Sequence, residues 1–409
     1  MKKDLLYYIV VFIIILLISG SSFVLTKWFT IGFTTFLLVI FLNQKREFTK
    51  KIFLVLVVWF LINILAMFFT NSDFILLRIL HYTFGLLLLP YFVISLMGLN
   101  FWSRFERIVY FLTLVSIPLF ALNIVFPDFF NSLSSLFRPL TRDIFSKFNT
   151  DTNYWSALIY VNAIKDGSFY RNSGFMWEPG SFAMIIVWAI VYNWLTKGIK
   201  FDKRFWVYFT AMATTLSTAG YLAIFVVILS NYIKKIGFKN IVLLPIIAFL
   251  FWTYIYQLDF VGGEIDYYIE GYSKDNLFYN NSYEAIKVSR FQIVKYDFYK
   301  VFEHPFGYGV VSKKDFSEEI EIVGVNGLTN LMVMWGIPVF IFMLVLMKRY
   351  VFLLNFRKYS NLTLYFLFTG LLIMFFSNPL SRNVFIYLIM ITPLLINFQH
   401  NTNATKPTS

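Results

Sequence analysis

Long apolar runs recur from one end of the chain to the other, and they limit what it can fold into more than any other feature. Of its 409 residues, 59% are hydrophobic and 14% are charged, whereas a soluble domain has about 25% charged residues. Apolar runs of this length cross bilayers as α-helices, because a helix satisfies its own backbone hydrogen bonds in lipid. We therefore predict an all-α, polytopic membrane protein. Residues 1–398 should form a single integral membrane domain, followed by a disordered polar tail, residues 399–409.

About twelve transmembrane helices are predicted from the apolar runs. They lie near residues 5–22, 28–42, 52–70, 75–98, 108–127, 179–196, 205–217, 219–233, 240–257, 327–347, 361–376 and 384–398. Residues 205–233 would also fit one long helix, but both flanks are basic and should lie on the same side of the membrane. Two short helices satisfy this requirement if they turn at Ser217–Gly220, a run of small residues.

Basic residues are concentrated in the short connections between the spans. Together with the two termini, these segments hold 20 of the 35 Lys and Arg residues but only 4 of the 22 Asp and Glu residues. The positive-inside rule therefore places them in the cytoplasm, with both termini. The net charge of +13 is thus a topology signal rather than a nucleic-acid footprint, and we expect no nucleic-acid partner. The chain has no cysteine, which excludes disulfides and thiolate chemistry.

Two connections are much longer than the others, at residues 128–178 and 258–326, and both fall outside by this topology. Each contains aromatic and amphipathic stretches rather than low-complexity sequence, so we expect order in both. Within the second, Ile286–Val301 interleaves Tyr, Phe and Ile with Lys and Arg, which is typical of a helix lying against a membrane surface.

The sequence lacks the usual motifs of metal-binding and nucleotide-binding sites. No P-loop, dinucleotide fingerprint, HExxH or GxSxG motif is present. The acidic pair within Gly262–Asp266 could bind a divalent cation through oxygen atoms, but such pairs are common in solvated loops. The three histidines, His81, His304 and His400, are scattered along the chain. We therefore expect neither a metal nor a cofactor.

The segment Arg171–Ala183, RNSGFMWEPGSFA, closes the first long connection and opens an apolar run. Pro179 suits the first turn of a helix, where its missing N–H is not needed, so Arg171 and Glu178 should lie at the mouth of that helix. The unpaired N–H groups and the helix dipole favour an anion such as phosphate there. A guanidinium binds phosphate oxygens bidentately, and a nearby carboxylate can orient it or accept a proton from a hydroxyl. The alternative is a salt bridge that ties the loop to the helix.

Three further arginines are candidates for the same anion. Arg290 lies in the second long connection, Arg382 in the outer turn between the last two spans, and Arg78 near the outer end of the fourth span, one helical turn before His81. Each alone is typical of an arginine that extends its charge to the interface. Ionisable residues within membrane spans are functional candidates in general. If these arginines lie close together on the outer side of the membrane, they would form an anion site.

Three segments of the chain resemble recurring pieces of the O-antigen polymerases (Wzy-type) and O-antigen ligases, bacterial envelope proteins with many spans and two large external loops. Arg171–Phe182 is similar to their arginine-to-Glu-Pro segment that enters a helix, Leu216–Gly220 to a Ser-rich turn between short spans, and His304–Gly309 to a His-Pro-x-Gly-x-Gly segment of the second loop. The resemblance covers roughly residues 100–350 and rests on the order and spacing of loose motifs. It implies a fold like that of the GT-C glycosyltransferases.

Two departures favour a polymerase over a ligase. Ligases have a His-Asn or His-Ser pair ten residues before a glycine, where this chain has Val325-Asn326 and then Gly336. The Ser-Arg of the mid-chain turn is also absent, since the sequence there is Ser217-Thr218-Ala219-Gly220.

The resemblance implies a metal-independent glycosyltransferase that polymerises polyprenyl-pyrophosphate-linked oligosaccharide repeats into O-antigen or capsule-like polysaccharide at the outer face of the bacterial inner membrane. Besides these substrates and membrane lipids, it implies a flippase and a chain-length regulator as partners. The residues implied are Arg171, Glu178 and His304 in catalysis and Arg171, Arg290, Arg382 and Arg78 in pyrophosphate binding.

Two other functions remain open at the level of sequence. A ligase would transfer finished glycan to lipid A core or to a protein. A flippase or other polysaccharide transporter would be expected to show repeat symmetry and interrupted helices near the middle of the membrane.

Overall fold

The described part of the chain is predominantly α-helical, with one short β-hairpin. A computed structural model describes residues 2–20, 27–70, 76–137, 159–166, 169–232, 290–310, 326–378 and 382–396. The helices are α1 (Lys2–Ser19), α2 (Lys27–Asn43), α3 (Lys50–Thr70), α4 (Leu76–Tyr82), a π-helical turn (Thr83–Leu88), α5 (Leu89–Met97), α6 (Asn100–Val125), α7 (Pro127–Phe137), α8 (Pro179–Lys197), α9 (Lys203–Thr215), α10 (Thr218–Tyr232), α11 (Arg290–Glu303), α12 (Gly327–Leu353), α13 (Asn361–Ser377) and α14 (Val384–Leu395). Strands β1 (Ile164–Asp166) and β2 (Phe169–Arg171) pair antiparallel.

Within the described residues, five helical segments are long and apolar enough to cross a membrane: α3, the continuous α4–α5 segment, α6, α8 and α12. Shorter apolar helices are α1, α2, α10, α13 and α14. This agrees with the prediction of a helical membrane protein. The predicted span at 240–257 lies outside the described residues, so the count of twelve remains a prediction.

Two helices extend beyond the apolar pattern that predicted them. α6 begins at Asn100, so the basic stretch 100–107 forms its first two turns rather than a connection. α12 continues to Leu353, well into residues 348–360, which the sequence predicts as a connection. Long cationic side chains keep their charge at an interface while their backbone stays helical. A charged segment therefore does not by itself end a helix.

The short basic connections that the structure describes meet at one end of the bundle, here called the basic end. Glu106 of α6 is 2% exposed there and accepts hydrogen bonds from Arg204 at 2.7 and 2.8 Å and from Lys197 at 3.2 Å. At the same end, Lys51 of α3 donates to the carbonyl of Leu394, near the end of α14, at 2.9 Å. These contacts tie α6, α8 and α9 together, and α3 to α14. The opposite end, where α8 and α12 begin, is called the loop end.

The prediction of two helices within residues 205–233 is confirmed. Between α9 and α10, Leu216 adopts a left-handed conformation with φ of 46°. The hydroxyl of Ser217 accepts a hydrogen bond from the Gly220 N–H at 3.3 Å. A Cβ on Gly220 would lie 3.1 Å from the Cβ of Ala183 in α8, so this turn packs closely against the start of α8.

Helix α12 is interrupted at Gly336, whose φ of 77° and ψ of 166° are not helical. The segment 304–309, HPFGYG, fills the interruption with backbone hydrogen bonds of 2.9 to 3.0 Å. They run from Tyr308 N to the Val333 carbonyl, from Gly309 N to the Met334 carbonyl and from Ile337 N to the Pro305 carbonyl. A Cβ on Gly307 would lie 2.5 Å from Gly336 N, so both positions require glycine for this close approach. The segment thus satisfies backbone groups that a broken helix leaves unpaired.

Candidate anion-binding active site

Helix α8 begins as the sequence predicts, with Pro179 in its first turn and Glu178 at its N-cap position. The Glu178 backbone is extended, and its carboxylate makes no capping hydrogen bond to the helix backbone. Instead the Ser181 hydroxyl donates to Glu178 Oε1 at 2.8 Å. The Glu178 side chain therefore leaves the first N–H groups of α8 uncapped, and the positive end of the helix dipole lies beside its carboxylate.

A polar cavity of about 120 Å³ opens in front of this helix start. It is lined by Arg171, Glu178, Pro179, Gly180, Ser217, Thr218, Ala219 and Ser377. Both α8 and α10 begin at its wall, so two helix N-termini converge on it together with a guanidinium, an arrangement that favours an anion. A space of this size holds roughly four water molecules. This space is called the polar cavity below.

Arg171 reaches the polar cavity from the end of β2, and its position is fixed by contacts with the end of α9. Its Nε donates to the Thr215 carbonyl at 3.2 Å. The next residue, Asn172, donates from its backbone N to the Thr214 carbonyl at 2.9 Å and from its side chain to the Thr214 hydroxyl at 3.0 Å. The dipole at the carboxyl end of a helix favours a cation. The guanidinium is therefore held by α9 while it lines the polar cavity.

The residues that follow Arg171 are buried, which makes their segment a rigid support. Gly174 has a positive φ of 55° and lies under the ring of Phe182, so that a Cβ would be 2.5 Å from the ring. Its carbonyl accepts a hydrogen bond from Val161 N at 2.6 Å. Trp177 N donates to the Ser19 carbonyl at the end of α1 at 2.9 Å. The loop between β2 and α8 is thus anchored to α1 and α8.

A polar network continues from Glu178 to the end of α13. The Ser181 hydroxyl lies 3.2 Å from Oδ1 of Asn378, which is 1% exposed and donates to the Met374 carbonyl at 2.7 Å. Gly327, the first residue of α12, packs so closely on Asn378 that a Cβ would overlap its carbonyl oxygen. The ends of α8, α12 and α13 therefore meet beside the polar cavity.

Three of the other predicted site residues do not line the polar cavity. His304 follows α11, and its ring packs edge-on against Tyr308 with 4.5 Å between centroids. Arg382 is exposed and lies over the ring of Tyr82, with Cζ 5.5 Å from the centroid. Arg78 is half-buried in α4.

Two further sequence predictions fall partly or wholly outside the described residues. The side chain of Arg290 and the acidic pair in Gly262–Asp266 are not described. Of the helix predicted at Ile286–Val301, the part from Arg290 onward is observed as α11, whereas its position against the membrane surface stays a prediction. Within the described ranges, His, Asp and Glu side chains form no group of three or more that could hold a metal ion.

Sequence reasoning missed one buried carboxylate near the start of α12. Asp297 of α11 is 2% exposed and accepts a short hydrogen bond from the hydroxyl of Thr329, in the first turn of α12. Burial raises its pKa to about 6, against the lowering effect of the Thr329 hydrogen bond. The helical spacing of the sequence could have identified this residue. Asp297 lies four residues after Ile293 and four before Val301, which are both 1% exposed, so it falls on the apolar face of the helix.

Comparison of the chain with protein-family models, curated proteins and solved structures finds no match. The chemistry of the site therefore has to be argued from its own residues.

Proposed function

We propose that this protein is an oligosaccharide repeat-unit polymerase, a glycosyltransferase acting on polyprenyl-pyrophosphate-linked glycans at the outer face of a bacterial inner membrane. One observation carries the proposal: Arg171 and Glu178 line a single polar cavity at which α8 and α10 both begin. A guanidinium and two helix N-termini suit a diphosphate group. A carboxylate beside them suits a hydroxyl that must lose its proton.

In the proposed reaction, a sugar hydroxyl of the incoming repeat attacks the anomeric carbon of the growing chain. The new carbon–oxygen bond forms as the bond from that carbon to the diphosphate breaks, and the electron pair leaves with the lipid diphosphate. The hydroxyl proton passes to the carboxylate of Glu178. Arg171 and the N–H groups at the starts of α8 and α10 stabilise the charge that develops on the leaving group.

Glu178 is preferred to His304 as the general base because of position. Glu178 lines the polar cavity, whereas the His304 ring packs against Tyr308. The Glu178 carboxylate already accepts a hydrogen bond from the Ser181 hydroxyl at 2.8 Å, so it lies within reach of hydroxyl donors. Proton transfer to a positioned base of this kind contributes about 10²–10⁴-fold in rate.

The direction of the chain in the membrane supports chemistry on the outer side. Contacts between Asp4 and Arg104 and between Lys51 and Leu394 bring the start of α1 and the end of α14 to the basic end. By the positive-inside rule this end is cytoplasmic, with both termini, and the polar cavity faces outward. An activated glycosyl diphosphate then supplies the energy that a nucleotide would supply in the cytoplasm.

The transporter alternative predicts an interrupted helix, and α12 is interrupted at Gly336. In transporters such interruptions leave backbone carbonyls available to bind ions or substrate. Here the carbonyls of Val333 and Met334 accept hydrogen bonds from the segment 304–309. The interruption is therefore occupied by the protein's own backbone, and this observation favours an enzyme over a transporter.

The proposal is tested with purified protein and synthetic lipid-linked repeats. Wild-type protein should lengthen the glycan and release lipid diphosphate. Arg171→Gln should lower the rate about 10²–10³-fold, because it removes one donor to the developing charge. Glu178→Gln should lower it strongly while leaving substrate binding nearly intact.

Two controls remove similar charges at exposed positions of α11: Lys295→Gln and Glu303→Gln. Both should keep full activity. Equal activity of Arg171→Gln and Glu178→Gln with the wild type would remove the basis for the assignment. Transfer of finished glycan to lipid A core without lengthening of repeats would indicate the ligase instead.

A further inference from the structure

The hydroxyl group of Ser181 lies between two hydrogen-bond acceptors but carries a single hydrogen. Glu178 Oε1 is 2.8 Å from Ser181 Oγ, and Asn378 Oδ1 is 3.2 Å from it. A serine hydroxyl donates one hydrogen bond, so it serves one of these two oxygens well at a time. Ser181 is 2% exposed and Asn378 is 1% exposed. Protein therefore encloses the hydroxyl and the second acceptor.

The side-chain amide of Asn378 has one favoured orientation. Its Nδ2 donates to the Met374 carbonyl at 2.7 Å, and a carbonyl oxygen only accepts. Turning the amide over would place Oδ1 against that carbonyl, so Oδ1 must face Ser181. The backbone is also fixed, because a Cβ on Gly327 would overlap the Asn378 carbonyl oxygen. Asn378 therefore presents a fixed acceptor to the Ser181 hydroxyl.

Glu178 occupies the position at which a side chain usually caps the helix. An N-cap side chain normally accepts a hydrogen bond from the backbone N–H of the second or third helical residue. The Glu178 carboxylate accepts instead from the side chain of the third residue, Ser181. Gly180 allows this arrangement, because a Cβ there would already lie 3.3 Å from Asn378 Oδ1. Glu178, Ser181 and Asn378 therefore form a side-chain chain beside the polar cavity.

The preference of the Ser181 hydrogen depends on the protonation of Glu178. A hydrogen bond to an ionised carboxylate is roughly twice as strong as one between neutral groups. The hydroxyl therefore donates to ionised Glu178 in preference to Asn378, in agreement with the shorter of the two distances. A protonated carboxyl group is a weaker acceptor than an amide oxygen, so Asn378 then becomes the better partner. A fixed donor, such as a backbone N–H, could not follow this change.

We propose that Ser181 and Asn378 are positioning residues for Glu178, and that the Ser181 hydroxyl is a two-position switch during transfer of the substrate proton. Before the reaction, the hydroxyl donates to the Glu178 carboxylate. As Glu178 takes the proton of the sugar hydroxyl, the Ser181 hydrogen turns to Asn378 Oδ1. The O–H bond of Ser181 rotates and does not break, and the transferred proton stays on Glu178 until it passes to water. This inference rests on the proposed function, in which Glu178 is the base.

The test titrates Glu178 in purified, substrate-free protein by infrared spectroscopy, with the carboxyl band that Glu178→Gln removes. Ser181→Ala takes away the donor to the ionised form, so the pH of half-protonation should rise by about one pH unit, a tenfold change in the equilibrium. Asn378→Val takes away the acceptor that serves the protonated form, so the pH of half-protonation should fall. In the Ser181→Ala background, Asn378→Val should have no further effect, because its influence passes through the hydroxyl.

Two choices keep the titration interpretable. The backbone of Asn378 is extended, with φ of −128° and ψ of 142°, which suits a β-branched residue such as valine. Thermal unfolding checks each variant, and Asn378→Ala replaces Asn378→Val if valine prevents folding. The matched control is Ser230→Ala, since Ser230 is 1% exposed and its hydroxyl donates within α10 to the Val227 carbonyl at 2.6 Å. It should leave the titration unchanged.

Activity on synthetic lipid-linked repeats gives a second readout. Ser181→Ala should lower kcat about tenfold and leave KM nearly unchanged, because it removes a hydrogen bond to the base rather than a contact with substrate. Ser181→Thr keeps the hydroxyl and should recover most of the rate. Ser230→Ala should be as active as wild type.

Shifts of the same sign in Ser181→Ala and Asn378→Val, or no shift in either, would overturn the switch. Because the titration needs no substrate, its failure can be told apart from failure of the proposed function. Opposite shifts in a protein that lengthens no glycan would retain the switch and remove the polymerase reaction. Shifts of the same sign in an active protein would remove the switch alone.

Discussion

Glu106 and Asp297 are both 2% exposed, yet their surroundings differ. Glu106 lies between two cations, Arg204 and Lys197, which stabilise its ionised form. Asp297 accepts a hydrogen bond from the neutral hydroxyl of Thr329, which compensates its burial less well. At the scale of the residue, Glu106 therefore stabilises the junction of α6, α8 and α9, whereas Asp297 makes the contact between α11 and α12 depend on pH.

Removing Glu106 should be among the most damaging single changes at the basic end. Glu106→Ala leaves Arg204 and Lys197 without their shared partner. Because these cations are 34% and 49% exposed and can be hydrated, the cost should be that of the lost hydrogen bonds to a charged group, about 1.5–3 kcal/mol. Thermal unfolding in detergent measures the loss. The control is Asp4→Ala, which breaks the ion pair between Arg104 and the 69%-exposed Asp4 and should cost under about 1 kcal/mol. Similar unfolding temperatures for the two variants would contradict this account.

The contact of Asp297 with α12 should weaken as the pH rises. Burial raises the folded-state pKa from 3.8 to about 6, so the stabilising contribution is fully present below about pH 4 and is lost as the pH rises through 6. In full it is worth about 3 kcal/mol. Asp297→Asn keeps an acceptor for Thr329 without a charge, so the variant should unfold at a higher temperature than wild type at neutral pH.

Unfolding measured between about pH 4 and 7 tests this pH dependence. The wild type should lose stability across the interval, and Asp297→Asn should lose much less. Asp128→Asn, on the exposed surface of α7, should behave as wild type. The same slope in wild type and Asp297→Asn would show that another group is responsible.

At the scale of the element, the segment 304–309 and the interruption of α12 form one unit although about 30 residues separate them in sequence. Gly307 and Gly336 have φ values of 86° and 77° and allow the two backbones to touch. The resemblance assigns this segment to the site through His304. Its contacts show a structural contribution, because its backbone pairs with groups that α12 leaves open.

Gly307→Ala should destabilise the protein by more than its backbone conformation alone explains. A non-glycine residue at positive φ costs about 1–3 kcal/mol, and the new Cβ would also lie 2.5 Å from Gly336 N. Gly98→Ala is the matched control, since Gly98 has φ of 56° and a Cβ there would meet nothing within 4 Å. Thermal unfolding should show a clearly larger loss for Gly307→Ala, and equal losses would contradict the packing argument.

Some helix boundaries are predictable from sequence, since Pro179 starts α8 as expected. Others are not: the break between α9 and α10 lies at Leu216 and Ser217, and the other small residues of the predicted turn, Thr218–Gly220, form the first turn of α10. The sequence does not predict which of these elements pack against each other. Ser377 and Asn378 reach the site only because α13 ends beside α8, and no local pattern around them signals that. The charge pattern of the sequence places Glu106 in a basic connection, whereas it lies in the second turn of α6. An acidic residue near the start of an apolar helix indicates that the carboxylate has a buried partner.

At the scale of the whole molecule, charged side chains are concentrated at the basic end and at the loop end, and they make different contacts there. The basic end uses its cations to bind helices together, as around Glu106. The loop end gathers Arg171 into a cavity with two helix starts and places Arg382 over the ring of Tyr82. A bundle with this division can hold anionic headgroups at one surface while their lipid chains stay in the membrane.

The most direct measurement of the central claim is an experimental structure of the protein with a bound polyprenyl diphosphate-linked repeat. The account predicts a diphosphate in the polar cavity, with its oxygens within hydrogen-bond distance of the Arg171 guanidinium and of N–H groups at the starts of α8 and α10. A polar cavity closed by a direct Arg171–Glu178 ion pair, with the diphosphate bound elsewhere on the molecule, would contradict it.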